Sequence, residues 1–176
     1  MAPLSFDRLR IQAFLELAGD RLDGEWLLIG GAAAAAWFAP ARTTEDVDLI
    51  GLAGTQEERF ALMRLALECS LPIEAVNSAA DFFVKRIDGW RDELVLLLRG
   101  SRATIYRPTA TLFLLLKLDR LTPVDLDDRL TLIERCRQHG DSFDRARIRG
   151  GLERLSETDD LDLRVRRAVL AAACLP

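Results

Sequence analysis

The residues with the clearest chemical potential are two aspartates, Asp46 and Asp48, separated only by Val47. The segment Asp46–Ile50 alternates polar and apolar residues, which predicts a β-strand, and residues two apart on a strand project to the same face. Two carboxylates placed in this way repel each other unless a cation lies between them. Because Mg²⁺ and Mn²⁺ take oxygen ligands, the pair predicts a divalent-metal site. The alternative is a solvated pair on an exposed edge strand.

Two glycines, Gly30 and Gly31, lie at a predicted strand-to-helix turn. They follow a short apolar strand, Glu25–Ile29, and precede an alanine-rich helix, Ala32–Phe38. Glycine has no side chain to obstruct an approaching group, so the backbone N–H groups of this turn can contact an anion such as a phosphate. Such turns also use glycine for packing alone, and the pair by itself is a weak signal.

Taken together, these segments resemble the motif of the nucleotidyltransferase superfamily, whose members share a polymerase-beta-like fold. That motif is an apolar residue, two small residues, a spacer and then Asp-apolar-Asp-apolar. Ile29-Gly30-Gly31 and Asp46-Val47-Asp48-Leu49 fill these places. The run Arg42–Asp48 is also similar to the Arg-x-Thr-x-Asp-x-Asp run of the abortive-infection and toxin branch of the superfamily.

The resemblance implies an α/β core that binds a nucleoside triphosphate and Mg²⁺ or Mn²⁺. It assigns the nucleotide's phosphates to the glycine turn and the metal, together with catalysis, to the aspartate pair. The residues it implies are Gly30, Gly31, Arg42 and Thr44 for the nucleotide, and Asp46 and Asp48 for the metal.

A third carboxylate on a neighbouring strand is part of the same family pattern, and it often serves as the base for the attacking hydroxyl. Glu93, at the start of the strand predicted for Glu93–Arg99, is the best candidate in this sequence. If no third acid is correctly placed, the fold binds a nucleotide without transferring it.

A second stretch of the chain, Leu114–Asp128, resembles the same branch. Members tend to carry a helical lysine, an arginine and then an Asp-x-x-Asp pair that opens the next helix. Lys117 and Arg120 match the basic positions, and residues three apart on a helix share a face, so the resemblance implies that both contact the nucleotide. Asp125 and Asp128 match the acidic pair. We expect these two to be mainly structural, because acidic residues stabilise the N-terminus of a helix.

Composition excludes several other classes of function. The chain of 176 residues has a formal net charge of -4, which argues against a protein that coats nucleic acid. Three dispersed cysteines and a single histidine make a zinc site improbable and fit a reducing cytoplasm. The apolar run Leu27–Ala39 is too short to span a bilayer, so we expect no membrane association.

The pattern of elements predicts an α/β (α+β) fold: a nucleotidyltransferase-like mixed sheet flanked by helices, followed by a helical C-terminal part. We expect a core over residues 1–108 and a helical subdomain over residues 109–176 packed on it, although the junction near Pro108 could equally be a tight connection within one domain. The other predicted helices are Phe6–Leu22 with Ser5 as N-cap, Gln56–Cys69 capped by Thr55, Thr111–Leu121, Asp125–His139, Asp144–Leu155 and Asp162–Ala173. The other predicted strands are Phe82–Ile87, joined to Glu93–Arg99 through an Asp88-Gly89 turn, and Ile105–Arg107.

Two functional hypotheses follow from the sequence. The first is a metal-dependent nucleotidyltransferase that moves a nucleoside monophosphate to a hydroxyl of RNA (tRNA) or of a protein; in the branch that the chain resembles, such an enzyme is often a toxin with a cognate antitoxin. The second is a catalytically inactive protein on the same fold that binds a nucleotide or a partner.

Overall fold

The computed structural model describes residues 5–77 and 81–174. The chain forms two compact units, Met1–Pro108 and Thr109–Pro176. The first contains a five-stranded mixed sheet with helices, and the described part of the second is helical. The predicted α+β class is therefore confirmed. No helix in the described ranges is long and apolar enough to cross a membrane.

The sheet of the first unit has the spatial order β3-β2-β1-β5-β4. β1 pairs with β5 in parallel and with β2 antiparallel, β3 runs parallel to β2, and β4 runs antiparallel to β5. This topology brings the ends of β1 and β5 and the starts of β2, β3 and β4 to one end of the sheet. The strands are β1 (Gly24–Ile29), β2 (Val47–Gly51), β3 (Val76–Asn77), β4 (Leu94–Arg99) and β5 (Ala103–Pro108).

Four helices accompany the sheet: α1 (Arg8–Arg21), α2 (Gly30–Trp37), α3 (Gln56–Glu68) and α4 (Asp81–Lys85). β1 is the central strand, and Trp26, Leu27, Leu28 and Ile29 on it are all fully buried. The expectation that Ser5 caps α1 is wrong, because the carboxylate of Asp7 accepts the N–H of Arg10. Thr55 caps α3 as predicted, in a reciprocal capping box with Glu58.

The strand predicted for Phe82–Ile87 is instead the helix α4. Short apolar runs do not distinguish strand from helix by pattern alone, and here an i,i+4 ion pair supports the helical turn. Lys85 Nζ lies 3.1 Å from Asp81 Oδ2, and the same carboxylate oxygen accepts a hydrogen bond from Arg59. The Asp88-Gly89 turn is followed not by a strand but by a 3₁₀ helix, Trp90–Glu93, so it does not form a hairpin.

The second unit contains α5 (Ala110–Leu115), α6 (Pro123–His139), α7 (Arg145–Glu153) and α8 (Leu161–Ala173). The helix predicted for Thr111–Leu121 ends at Leu115, six residues before its predicted end. Lys117, two residues further on, has a left-handed φ of 59°. The reason is a buried arginine, Arg129 on α6, whose guanidinium donates to the carbonyls of Leu114 and Leu116. These carbonyls belong to the last turn of α5, where no further helical N–H is present to satisfy them.

Candidate active site

The glycine turn lies directly beside the start of β2. Ile29, the last residue of β1, pairs with Asp48 on β2, and Gly30 follows with a left-handed φ of 68°. A side chain is unfavourable in that backbone region, so the turn requires glycine there. Ile29 occupies the N-cap of α2 and provides no side-chain hydrogen bond to it. The first turn of α2 therefore lies next to Asp48 without a side-chain cap from its N-cap residue.

Gly31 is packed against the loop that leads into β2. A Cβ atom at Gly31 would lie 2.9 Å from Thr44 Oγ1 and 3.1 Å from Arg42 Nη2. Contacts this short force the neighbouring atoms to move, so a larger residue cannot be accommodated without rearrangement. The glycine turn and the Arg-Thr run, which are apart in the sequence, are thus adjacent in the fold.

Thr44 positions Asp46. Its hydroxyl donates to Asp46 Oδ1 over 3.0 Å. The backbone of Thr44 is in turn fixed by an isolated bridge to Phe6: the N–H of Phe6 donates to the Thr44 carbonyl at 2.7 Å, and the N–H of Thr44 donates back at 3.0 Å. Thr44 is buried, and the segment before α1 therefore anchors the loop that carries the first aspartate.

The two aspartates differ in their surroundings. The prediction that the strand begins at Asp46 is wrong by one residue, because β2 begins at Val47 and Asp46 lies half-buried in the preceding loop. Asp48 lies within β2 and is only 5% exposed. A carboxylate is unfavourable in such a position unless it is hydrogen-bonded or paired with a cation.

Asn77 is a candidate site residue that the sequence analysis did not identify. β3 pairs with β2 in parallel, and Asn77 is the registered partner of Asp48. Paired residues on adjacent strands project to the same face, so an amide stands where the family pattern expects a third carboxylate on a neighbouring strand. An amide oxygen can bind a hard cation, but it cannot act as a general base. The described part of β3 has two residues, which give no periodic signal from which this position could be found.

Glu93, the predicted third carboxylate, is not brought next to Asp48. It ends the 3₁₀ helix before β4, and the sheet order places β1 and β5 between β4 and β2. Three strand spacings amount to about 14 Å. Within residues 5–77 and 81–174, no group of three or more Asp, Glu, His or Cys residues is arranged to hold a metal ion. The candidate oxygen ligands are Asp46, which is hydrogen-bonded to Thr44, Asp48, which is registered with Ile29, and Asn77, which is registered with Asp48.

In the second unit, Lys117 and Arg120 do not share a helix face as predicted, because both lie in the turn after α5. Arg120 is exposed, and its Nε lies 3.7 Å from Asp125 Oδ2. Lys117 and Arg120 are thus two residues of an irregular turn, and Arg120 lies beside the carboxylate of Asp125.

Asp125 belongs to the N-terminus of α6. Its Oδ2 accepts from the N–H and the hydroxyl of Thr122, the helix N-cap, in a capping box. Burial favours a higher pKa for Asp125, but the hydrogen bonds from Thr122 and the charge of Arg129 outweigh it and lower the pKa below its ordinary value. Asp128, one turn further along, is buried. These contacts of Asp125 hold the start of α6.

Arg129 is the second residue that sequence reasoning missed. It is 2% exposed and donates to three backbone carbonyls, those of Leu114, Leu116 and Asp125. Burial lowers the pKa of Arg129 to about 10, so the guanidinium remains charged at neutral pH. The sequence offers one signal for it: Arg129 follows Asp125 by four residues, a spacing that allows an ion pair on the predicted helix.

Comparison with known proteins gives no family assignment. No family model matches the sequence, and neither a search of characterised proteins nor a search of solved structures gave a match.

Proposed function

We propose that this chain is a metal-dependent nucleotidyltransferase that moves a nucleoside monophosphate from a nucleoside triphosphate to an acceptor hydroxyl. One observation carries the proposal: the glycine turn is in contact with Arg42 and Thr44 and lies beside Asp48. Backbone N–H groups, a guanidinium and two carboxylates around one bend are the groups that recognise a polyphosphate and its cation.

Each group has a defined task in this proposal. The N–H groups of the Gly30-Gly31 turn and the Arg42 guanidinium bind the β- and γ-phosphates, and Thr44 holds Asp46 in position. Asp46 and Asp48 would hold Mg²⁺ or Mn²⁺, which would neutralise phosphate charge. The acceptor hydroxyl gives up its proton to water as its oxygen bonds to the α-phosphorus, the α–β phosphoanhydride bond breaks, and pyrophosphate leaves. Orientation and charge neutralisation supply most of the rate.

The acceptor in this proposal is a hydroxyl of tRNA or of a protein side chain. The similarity of Arg42–Asp48 to the run of the abortive-infection and toxin branch supports this class of acceptor. It also supports a role as the toxin of a two-gene module, with a cognate antitoxin as partner and the cytoplasm as the place of action.

A second candidate is a protein that binds the nucleotide without transferring it. Two observations favour it. The residue opposite Asp48 is Asn77 rather than an acid, and two strands separate Glu93 from Asp48. Without a third carboxylate, binding is retained while the general base is missing.

The experiment separates binding from transfer. Thermal unfolding is measured with ATP, CTP, GTP and UTP, each with and without Mg²⁺, and transfer is measured with α-³²P-labelled triphosphates on total RNA and on protein. The enzyme proposal expects a metal-dependent rise in melting temperature and label in one acceptor pool. Label that never appears despite such a rise supports the binding protein.

The matched variants are Asp48→Asn and Asp127→Asn. The first removes a proposed metal ligand and should abolish both the shift and the transfer, whereas the second removes an exposed carboxylate on α6 and should change neither. A triphosphate shift that is the same in both variants would refute the assignment of Asp48 to the metal.

A further inference from the structure

A short segment before α1, residues 5–7, is attached to the loop that leads into β2. We call this segment the strap. Its central residue, Phe6, forms an isolated antiparallel bridge with Thr44, and the two backbone hydrogen bonds of the bridge measure 2.7 and 3.0 Å. The side chain of Phe6 is only 2% exposed. The strap is therefore held by the burial of an aromatic ring as well as by the bridge.

Thr44 joins the strap to the candidate cation site. Its backbone bonds to Phe6, its hydroxyl donates to Asp46 Oδ1 over 3.0 Å, and its side chain occupies the space beside Gly31. One buried residue thus contacts the strap, the first aspartate and the glycine turn. Because a side chain moves with its backbone, a strap that detaches would release the residue that holds Asp46 in position.

We propose that the strap regulates the cation site. With residues 5–7 in place, Thr44 holds Asp46 ready for a divalent cation, and with the strap detached the site binds that cation more weakly. The inference rests on the proposed function, since it takes Asp46 and Asp48 as the ligands of Mg²⁺ or Mn²⁺. Coupling between two places is reciprocal. A bound cation therefore stabilises the attached strap by the same factor by which the attached strap raises the affinity for the cation.

Arg10 on α1 holds the strap from its exposed side. Its guanidinium donates to the carbonyl of Ser5 over 2.6 Å and lies 5.7 Å from the centre of the Phe6 ring. Arg10 is exposed, and a cation–π contact at an exposed site contributes little to stability. The strap can therefore be loosened at Arg10 without removing a core residue.

The first test measures the affinity of the full chain for Mn²⁺, by titration followed through the electron paramagnetic resonance signal of the free ion. Asp48→Asn identifies the site, because binding at the site disappears in that variant. Phe6→Ala should weaken binding about tenfold, whereas Phe14→Ala, which removes another buried ring from α1, should change it less than about twofold. Equal losses in the two phenylalanine variants would reflect general destabilisation and would overturn the proposal.

A milder pair of variants keeps the test decisive if Phe6→Ala does not fold, which circular dichroism checks. Arg10→Met removes the guanidinium from the strap and should weaken Mn²⁺ binding about threefold. Arg8→Met removes another exposed guanidinium from the same helix and should leave the affinity unchanged. An affinity that Arg10→Met does not lower, or that both variants lower equally, would count against the strap.

The second test uses the reciprocity of the coupling. Hydrogen exchange reports how often a backbone hydrogen bond opens, and the N–H groups of Phe6 and Thr44 form the bridge that holds the strap. Mg²⁺ should slow the exchange of both groups in the wild type, measured by NMR, and should not slow it in Asp48→Asn. An exchange rate that Mg²⁺ leaves unchanged in the wild type would overturn the proposal.

The two tests separate failure of the coupling from failure of the proposed function. If the wild type and Asp48→Asn bind Mn²⁺ equally, no cation site lies at Asp48, and both the proposed function and the coupling are refuted. If Asp48→Asn abolishes binding but Phe6→Ala and Arg10→Met leave the affinity unchanged, the cation site stands and the coupling alone is refuted.

Discussion

The charged residues around the glycine turn and those around the turn after α5 have different kinds of contacts. Around the glycine turn, residues distant in sequence converge: Arg42 and Thr44 lie against Gly31, and Asp48 pairs with the strand that leads into the turn. Around the turn after α5, charged side chains form hydrogen bonds to backbone groups at helix ends. Asp125 accepts from Thr122 in the capping box of α6, and Arg129 satisfies the last carbonyls of α5.

This difference shows how the role of a charged residue can be inferred from the atoms it contacts. A side chain whose hydrogen bonds go to the ends of its own helices has a structural task that accounts for its presence. Asp48 is a buried carboxylate beside the start of α2, and binding a cation is the role proposed for it above.

Arg129→Met should produce the largest loss of stability. Methionine has a similar length but no donors, so the carbonyls of Leu114 and Leu116 would be left buried without partners. We expect the free energy of unfolding, measured by urea denaturation, to fall by about 3 kcal/mol. The matched control is Arg120→Met, which removes an exposed guanidinium from the same region and should change stability by less than about 1 kcal/mol. Equal losses in the two variants would contradict the role of Arg129.

Gly31→Ala should destabilise the chain, and Gly150→Ala should not. A Cβ at Gly31 meets the buried Thr44, whereas a Cβ at Gly150 on α7 meets only the flexible end of Arg154. We expect a loss of about 2 kcal/mol for Gly31→Ala from overpacking. For Gly150→Ala we expect an increase of about 1 kcal/mol, because alanine favours helix. Urea denaturation measures both. If Gly31→Ala raised stability as well, the contact with Thr44 could not be tight.

The sequence predicted those elements whose signals are local. β1, α3 and the last three helices lie within two or three residues of their expected bounds, because capping residues, proline and glycine mark where they begin and end. Thr55 and the i,i+3 glutamate of its capping box illustrate this: two side chains specify where α3 starts.

Elements whose conformation depends on distant partners were predicted wrongly or missed. α5 ends because Arg129, fourteen residues beyond its last residue, satisfies its carbonyls, and no pattern within the predicted helix indicates this. α4 depends in part on Arg59, which forms an ion pair with Asp81 from 22 residues earlier in the chain. Asn77 became a candidate only through the parallel pairing of β3 with β2, since a residue's cross-strand neighbour is set by sheet topology.

Asn77→Asp tests the candidate site from this cross-strand position. The new carboxylate would stand opposite Asp48, and like charges facing each other across a ladder should lower the free energy of unfolding by about 1 kcal/mol. Mn²⁺ should recover that loss in the variant and have a smaller effect on the wild type. Asn77→Ala is the control, since it removes the amide without adding charge, and Mn²⁺ should stabilise it no more than the wild type. If Asn77→Asp responded to Mn²⁺ no more than Asn77→Ala does, no cation site would lie between β2 and β3.

Asp125→Asn should give the smallest effect, and one that depends on pH. The folded pKa of Asp125 lies below its unfolded value, so its carboxylate stabilises the fold above about pH 4, and that contribution disappears as the pH falls through the folded pKa. We expect the variant to lose about 1 kcal/mol at pH 7, as for a weakened helix cap, and to approach the wild type in acid. The difference in free energy of unfolding between the two proteins, measured by urea denaturation from neutral pH downwards, checks this, with Asp127→Asn as the exposed control on the same helix. A difference that stayed constant as the pH fell would mean that the capping box does not depend on the charge of Asp125, and the structural role assigned to that charge would have to be abandoned.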